Sequence, residues 1–150
     1  MIEIALADET ATARLGARVA GALRPGEAVC LTGPLGAGKS TLARALVRAL
    51  TTPDEDVPSP TFTLVQFYEG KRLAVAHFDL YRLSDPDEAY EIGLEEALED
   101  GCAVIEWPQR LGDRLPPDRL DVEIALSGDG RRARLIGHGA WEGRELEFGS

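Results

Sequence analysis

Gly33-Pro34-Leu35-Gly36-Ala37-Gly38-Lys39-Ser40-Thr41 is the stretch on which the reading of this chain turns. It satisfies the spacing G-x-x-x-x-G-K-[ST] at every required position, and each residue type there has a task on a polyphosphate. The glycines let the backbone turn with its N–H groups facing inward and leave room for phosphate to approach. Lys39 supplies a point charge for β- and γ-phosphates, and the Ser40 hydroxyl is placed to ligate Mg²⁺. A helix that begins within the loop adds its positive dipole end to the same anion site.

The flanks supply the context such a loop needs. Before it runs Ala28-Val29-Cys30-Leu31-Thr32, short, apolar and β-prone, as a buried parallel strand should be. After it, Leu42, Leu46, Ala49 and Leu50 fall on one helical face, with Arg44 and Arg48 on another. Strand, loop and helix in this order predict a bound nucleoside triphosphate; a chance Gly-rich turn before a helix is the poorer reading.

Further out, residues 2–6 read as a short strand. Asp8 or Thr10 then caps a helix whose Leu15, Val19 and Leu23 line one face, ending near Arg24-Pro25-Gly26. Thr51 to Pro60 is a polar, proline-bearing loop. Thr61–Tyr68 and Arg72–Phe78, split by Glu69-Gly70-Lys71, alternate as an antiparallel hairpin. An acidic helical stretch spans about Pro86 to Glu99, Cys102–Glu106 is a second buried strand, and Asp121–Leu126 with Arg132–Ile136 forms another hairpin. βα units mixed with hairpins predict an α/β fold. The expectation is a single P-loop NTPase domain over residues 1–150, a sandwich with a mixed parallel/antiparallel sheet flanked by helices. Its nucleotide would sit at the carboxyl ends of the parallel strands.

Composition narrows the class. The chain has 150 residues and a formal charge of −10. No apolar run approaches the length of a membrane span, and Met1-Ile2-Glu3-Ile4-Ala5-Leu6 lacks the basic start of a signal peptide, so a cytoplasmic protein is expected. Cys30 and Cys102 sit in separate apolar runs and read as buried, inert thiols, not as a metal site. From Asp85 to Asp100 there are eight carboxylates and no basic residue. So acidic a chain is a poor binder of nucleic acid by itself, and any link to RNA should run through a partner.

A phosphate loop binds; hydrolysis also needs carboxylates that hold Mg²⁺ and orient a nucleophile. Glu106 ends the apolar run Ala103-Val104-Ile105, where a Walker B acid would emerge. Asp79 ends Val75-Ala76-His77-Phe78 and is followed by Leu80-Tyr81-Arg82. The bland alternative for each is a strand-end carboxylate that faces solvent or caps the next element. Ser59-Pro60-Thr61 reads equally as a sensor of the γ-phosphate and as a strand-entry turn. Trp107 reads as a wall of the site or as plain packing, and His77 as a core or edge histidine in preference to a base. The acidic helix reads as a solvated face in preference to a partner surface. The only lysines are Lys39 and Lys71, and neither belongs to an Asn/Thr-Lys-x-Asp guanine motif, which favours ATP over GTP.

With these residues assembled, the chain resembles the TsaE (YjeE) family, small ATPases of bacterial tRNA threonylcarbamoyladenosine biosynthesis. The resemblance rests on the loop at Gly33–Thr41, on Ser59-Pro60-Thr61-Phe62-Thr63-Leu64-Val65 and on His77-Phe78-Asp79-Leu80-Tyr81-Arg82. Further on it includes Glu91-Ile92-Gly93-Leu94-Glu95-Glu96 and Val104-Ile105-Glu106-Trp107-Pro108. It implies weak ATP hydrolysis by the chain alone and action with a TsaB–TsaD complex, which places threonylcarbamoyl on the adenosine beside the anticodon of ANN-decoding tRNAs. ATP turnover would reset that assembly, and tRNA would be met only through it. The resemblance further implies that Gly36, Ala37, Gly38, Lys39, Ser40 and Thr41 hold the phosphates, that Ser40 and Glu106 hold Mg²⁺, and that Asp79 supports hydrolysis with Lys39 and Glu106. Ser59 to Phe62 would act as a switch-like loop, and Thr10 and Arg131 would contact the nucleotide. Two rivals share the loop: a P-loop small-molecule kinase, which needs an acceptor pocket and a closing lid, and a non-hydrolysing, nucleotide-gated binding module.

Overall fold

The computed structural model describes residues 2–34, 37–58 and 63–144. Its strands are β1 (Ile2–Leu6), β2 (Ala28–Thr32), β3 (Val65–Tyr68), β4 (Ala74–Asp79), β5 (Gly101–Glu106), β6 (Arg119–Ser127) and β7 (Gly130–His138). Its helices are α1 (Glu9–Ala22), α2 (Lys39–Leu50), α3 (Pro86–Glu91) and α4 (Leu94–Asp100). The strands form one sheet of seven in the order β1-β7-β6-β2-β5-β4-β3. β6, β2, β5 and β4 run parallel at its centre, and antiparallel pairs close both sides, β1 and β7 at one and β3 at the other. The expected mixed α/β sheet flanked by helices is what forms.

Strand chemistry explains the centre. β2 and β5 are apolar along nearly their whole length because both of their faces are covered, as parallel strands require. Alternate residues serve alternate cores. Val29, Leu31, Val75, Cys102, Val104, Val122 and Ile124 face α1 and α2, whereas Ala28, Cys30, Ala76, Phe78, Ala103 and Ile105 face the side of α3 and α4. Both thiols are enclosed, and burial pushes each up to about 12, which leaves them protonated and unreactive at neutral pH.

Helix boundaries follow local chemistry. The Asp8 carboxylate accepts from the Ala11 N–H at 2.9 Å and caps α1, so Asp8, not Thr10, fills that place. The C-terminal carbonyls of α1 are met from afar: Arg72 donates to those of Leu23 and Ala20, and Arg144 to that of Ala22. Arg144 also makes a paired ion bridge to the buried Glu27, with both N···O distances 2.7 Å. The acidic stretch is not one helix. It breaks at Ile92-Gly93, where Gly93 takes a left-handed turn at φ 104°. On α2, Ala49 lies off the buried stripe and is exposed; Ala43 and Val47 complete that stripe with Leu42, Leu46 and Leu50.

α1 lies against α2 through Gly16. A Cβ at Gly16 would stand 2.6 Å from the Leu42 carbonyl oxygen and 3.1 Å from the Ala45 Cβ. Gly16→Ala should therefore lower unfolding free energy by about 1–3 kcal/mol through overpacking, despite the better helix propensity of alanine. Urea titration measures it, and a variant as stable as wild type would refute the close approach.

Candidate functional site

Five segments reach the same edge of the sheet, for a topological reason. β2, β4, β5 and β6 are parallel, so their carboxyl ends share that edge. β1 is antiparallel to β7 and β7 to β6, so β1 points the same way, and Leu6 lies opposite Arg131 at the start of β7. The loop after β2, the ends of β4 and β5, the β6–β7 turn and the start of α1 thus surround one cavity of about 580 Å³. Its lining includes Ala37, Gly38, Lys39, Ser40 and Thr41, together with Asp79, Glu106 and Arg131.

The loop's local chemistry sets the first wall. Gly38 precedes α2 at φ 109°, a conformation that a side chain would strain, and its C=O receives the Leu42 N–H at 3.0 Å. The first-turn N–H groups of α2 have no intrahelical acceptor, so the helix begins as an anion-binding end beside the cavity. Lys39 is buried, and its Nζ lies 4.7 Å from the centre of the Trp107 ring. Such a cation–π contact is worth roughly 0.5–2 kcal/mol.

Register sets the second wall. Asp79 and Glu106 are cross-strand partners at the ends of β4 and β5, and both are buried. The Asp79 Oδ1 accepts from the Tyr81 N–H at 3.1 Å. The Glu106 Oε2 lies 2.7 Å from His77 Nε2. Trp107 follows directly, in the left-handed region at φ 60° and ψ 49°. Tyr81 lies against its ring with centroids 4.8 Å apart, and Arg110 sits over Tyr81 at 5.9 Å. Trp107 is therefore a wall of the cavity and a packing residue at once.

The lining is rich in hard oxygen donors. Four carboxylates (Asp8, Glu9, Asp79 and Glu106) face two cations, Lys39 and Arg131, among the described residues. A polyphosphate entering without a divalent ion would meet a net negative wall. Ser40, Asp79 and Glu106 suit Mg²⁺, which takes one or two carboxylates, a hydroxyl and substrate phosphate oxygens.

Most of the expected site residues meet here, but not all. Thr10 is exposed on α1 and does not line the cavity; Asp8, Glu9 and Thr12 do. The reason is helical period: Asp8 and Thr12 are one turn apart on the face toward the loop, and Thr10 falls between them on another face. Thr12 lies against the loop, its Cγ2 3.5 Å from where a Cβ of Gly38 would be. Gly36 and the expected switch-like loop, Ser59 to Phe62, lie outside the described residues. Sequence reasoning did not place Asp8, Glu9, Thr12 or Tyr81 at the site.

Comparison with known proteins agrees with this geometry. Residues 6–134 match the family model described as threonylcarbamoyl adenosine biosynthesis protein TsaE. The chain is 34% identical over 143 residues to the tRNA threonylcarbamoyladenosine biosynthesis protein TsaE of Rickettsia felis, covering 95% of this chain and 84% of that one. To the protein of the same name in Aquifex aeolicus it is 38% identical over 134 residues, covering 89% and 94%. The crystal structure of YdiB from Bacillus superposes with a TM-score of 0.77 at 26% identity, covering 94% of this chain and 88% of that one.

The left-handed backbone at Trp107 makes a checkable difference between replacements. Trp107→Asn and Trp107→Val both remove the ring, but asparagine tolerates the conformation and a β-branched residue does not. Trp107→Val should cost about 1–2 kcal/mol more in urea titration; equal losses would show that the backbone there is not constrained.

Proposed function

The chain belongs to the TsaE family of threonylcarbamoyl adenosine biosynthesis proteins, and from that premise we propose a specific role for it. It is a Mg²⁺-dependent ATPase subunit that drives turnover of a TsaB–TsaD complex. That complex threonylcarbamoylates the adenosine next to the anticodon in ANN-decoding tRNAs. One observation carries the reading: Lys39, Ser40, Asp79 and Glu106 converge on one cavity at the carboxyl edge of the parallel strands. A likeness in sequence alone would be kept by a protein that had lost the chemistry; this convergence supplies the parts that hydrolysis needs.

Each residue has a role that its position supports. The first turn of α2 and the residues just before it cradle the phosphates, with Ala37 to Thr41 supplying N–H groups and Ser40 its hydroxyl. Lys39 leaves the Trp107 ring and meets β- and γ-phosphate oxygens, a charge-assisted contact stronger than the one it gives up. Ser40 and Glu106 would hold Mg²⁺, which would neutralise phosphate charge there. Asp79, opposite Glu106, orients the attacking water. Arg131 approaches from the β6–β7 side and balances charge where the carboxylates of Asp8 and Glu9 line the opening.

Charge supports the division of labour with partners. A chain with a formal charge of −10 repels tRNA, so the substrate is met through TsaB–TsaD, in the cytoplasm where tRNA is modified. Among the described residues no helix is long and apolar enough to cross a membrane.

Two measurements test the reading. By calorimetry and phosphate release, Lys39→Ala should lose ATP binding, while Glu106→Ala should bind ATP yet lose Mg²⁺-dependent hydrolysis by at least about tenfold. Wild-type turnover in Glu106→Ala removes that assignment. In a reconstitution with TsaB, TsaD, tRNA and threonylcarbamoyl-adenylate, repeated rounds of modification should require this chain and ATP. Equal multiple-turnover modification without it would overturn the role.

A further inference from the structure

His77 is a buried polar side chain that the ATPase reading leaves unused. It is 3% exposed and shares a face of β4 with Asp79, one pleat deeper into the layer beneath α2. On that face its strand neighbours are Val75, Cys102 and Val104, with Gln66 opposite it on β3 and Asp79 one pleat on. Its Nε2 is 2.7 Å from Glu106 Oε2, and its Nδ1 is buried with no hydrogen-bond partner among the described residues. A carboxylate only accepts, so the ring must donate from Nε2. A second N–H at Nδ1 would be a buried donor with no acceptor, at a cost of about 1–3 kcal/mol. The ring's proton therefore sits on Nε2.

Packing does not explain this residue. A leucine would fill the layer without an orphaned nitrogen. What the imidazole adds is one directed bond to one oxygen of a buried carboxylate, and among the described residues Glu106 has no other side-chain hydrogen bond. We propose that His77 is the positioning residue for Glu106: by donating Nε2–H to Oε2 it fixes the carboxylate and keeps Oε1 for the Mg²⁺–nucleotide side of the cavity. The inference rests on the ATPase reading for what Glu106 binds. Outer partners of this kind typically govern metal affinity or activity by 10–100-fold.

The test uses the full chain as wild type, His77→Leu and His77→Gln; the glutamine amide nitrogen reaches about where Nε2 lies. His77→Leu should melt at or above the wild-type temperature and bind ATP normally without Mg²⁺. It should need about tenfold more Mg²⁺ for half of the metal-dependent gain in ATP affinity, and kcat should fall while KM changes little. His77→Gln should restore most of both. The ¹⁵N spectrum of the nucleotide-free wild type, assigned by loss of the other histidine in His138→Ala, should show a protonated Nε2 and a bare Nδ1. Wild-type Mg²⁺ dependence in a folded His77→Leu, or a proton on Nδ1, would overturn the proposal. If His77→Leu does not fold, the spectrum and His77→Gln decide it: a folded glutamine variant with the leucine phenotype expected above counts against it. If wild type binds Mg²⁺–ATP but does not hydrolyse it, the ATPase reading fails, and the Mg²⁺-dependent affinities still decide the role of His77.

Discussion

The parallel pairing of β4 with β5, with Asp79 opposite Glu106, is the constraint on which the rest of the site depends. Side chains alternate faces along a strand, so a slip of one residue in either strand would turn its carboxylate away from the loop after β2. The register is held by burial on both faces: Val75, Cys102 and Val104 on one side, and Ala76, Phe78, Ala103 and Ile105 on the other. Two largely apolar cores thus aim two carboxylates at one point. β2 then fixes the loop beside them, because it pairs with β5 so that Leu31 lies opposite Glu106.

Around that point the molecule places charges where burial would ordinarily forbid them. Lys39, Asp79 and Glu106 are all buried, and each has a partner that makes this tolerable. Lys39 lies over an aromatic face, and Glu106 receives a hydrogen bond from His77. These contacts are modest individually. Trp107 makes such a contact possible by taking a left-handed backbone, an uncommon cost for a bulky residue and one that clusters at functional sites.

Much of this was legible from residues alone. The loop spacing, the apolar runs before Lys39, Asp79 and Glu106, and the turn signals between hairpin strands are local features, and local features survive being read one at a time. The errors have the same origin. Thr10 was read as a nucleotide contact because a short motif does not say which way a helix faces; the packing of Gly16 on α2 orients α1. The acidic segment read as one helix because charge pattern continues across Gly93 although the backbone does not. His77 read as a core histidine, correct as to burial, but its bond to Glu106 spans 29 residues of sequence.

By itself the sequence determined the kinds of element, and it marked the Gly-Lys-Ser loop and the strand-end acids Asp79 and Glu106. Periodicity, capping chemistry and the Gly-Lys-Ser spacing act within a few residues, so no fold is needed to see them. Tertiary structure alone decided which side of α1 meets the loop, that Arg131 shares a cavity with Lys39, and that His77 holds Glu106. Those facts arise from strand order and register, which are set by the joint burial of distant segments and are written at no single position of the chain.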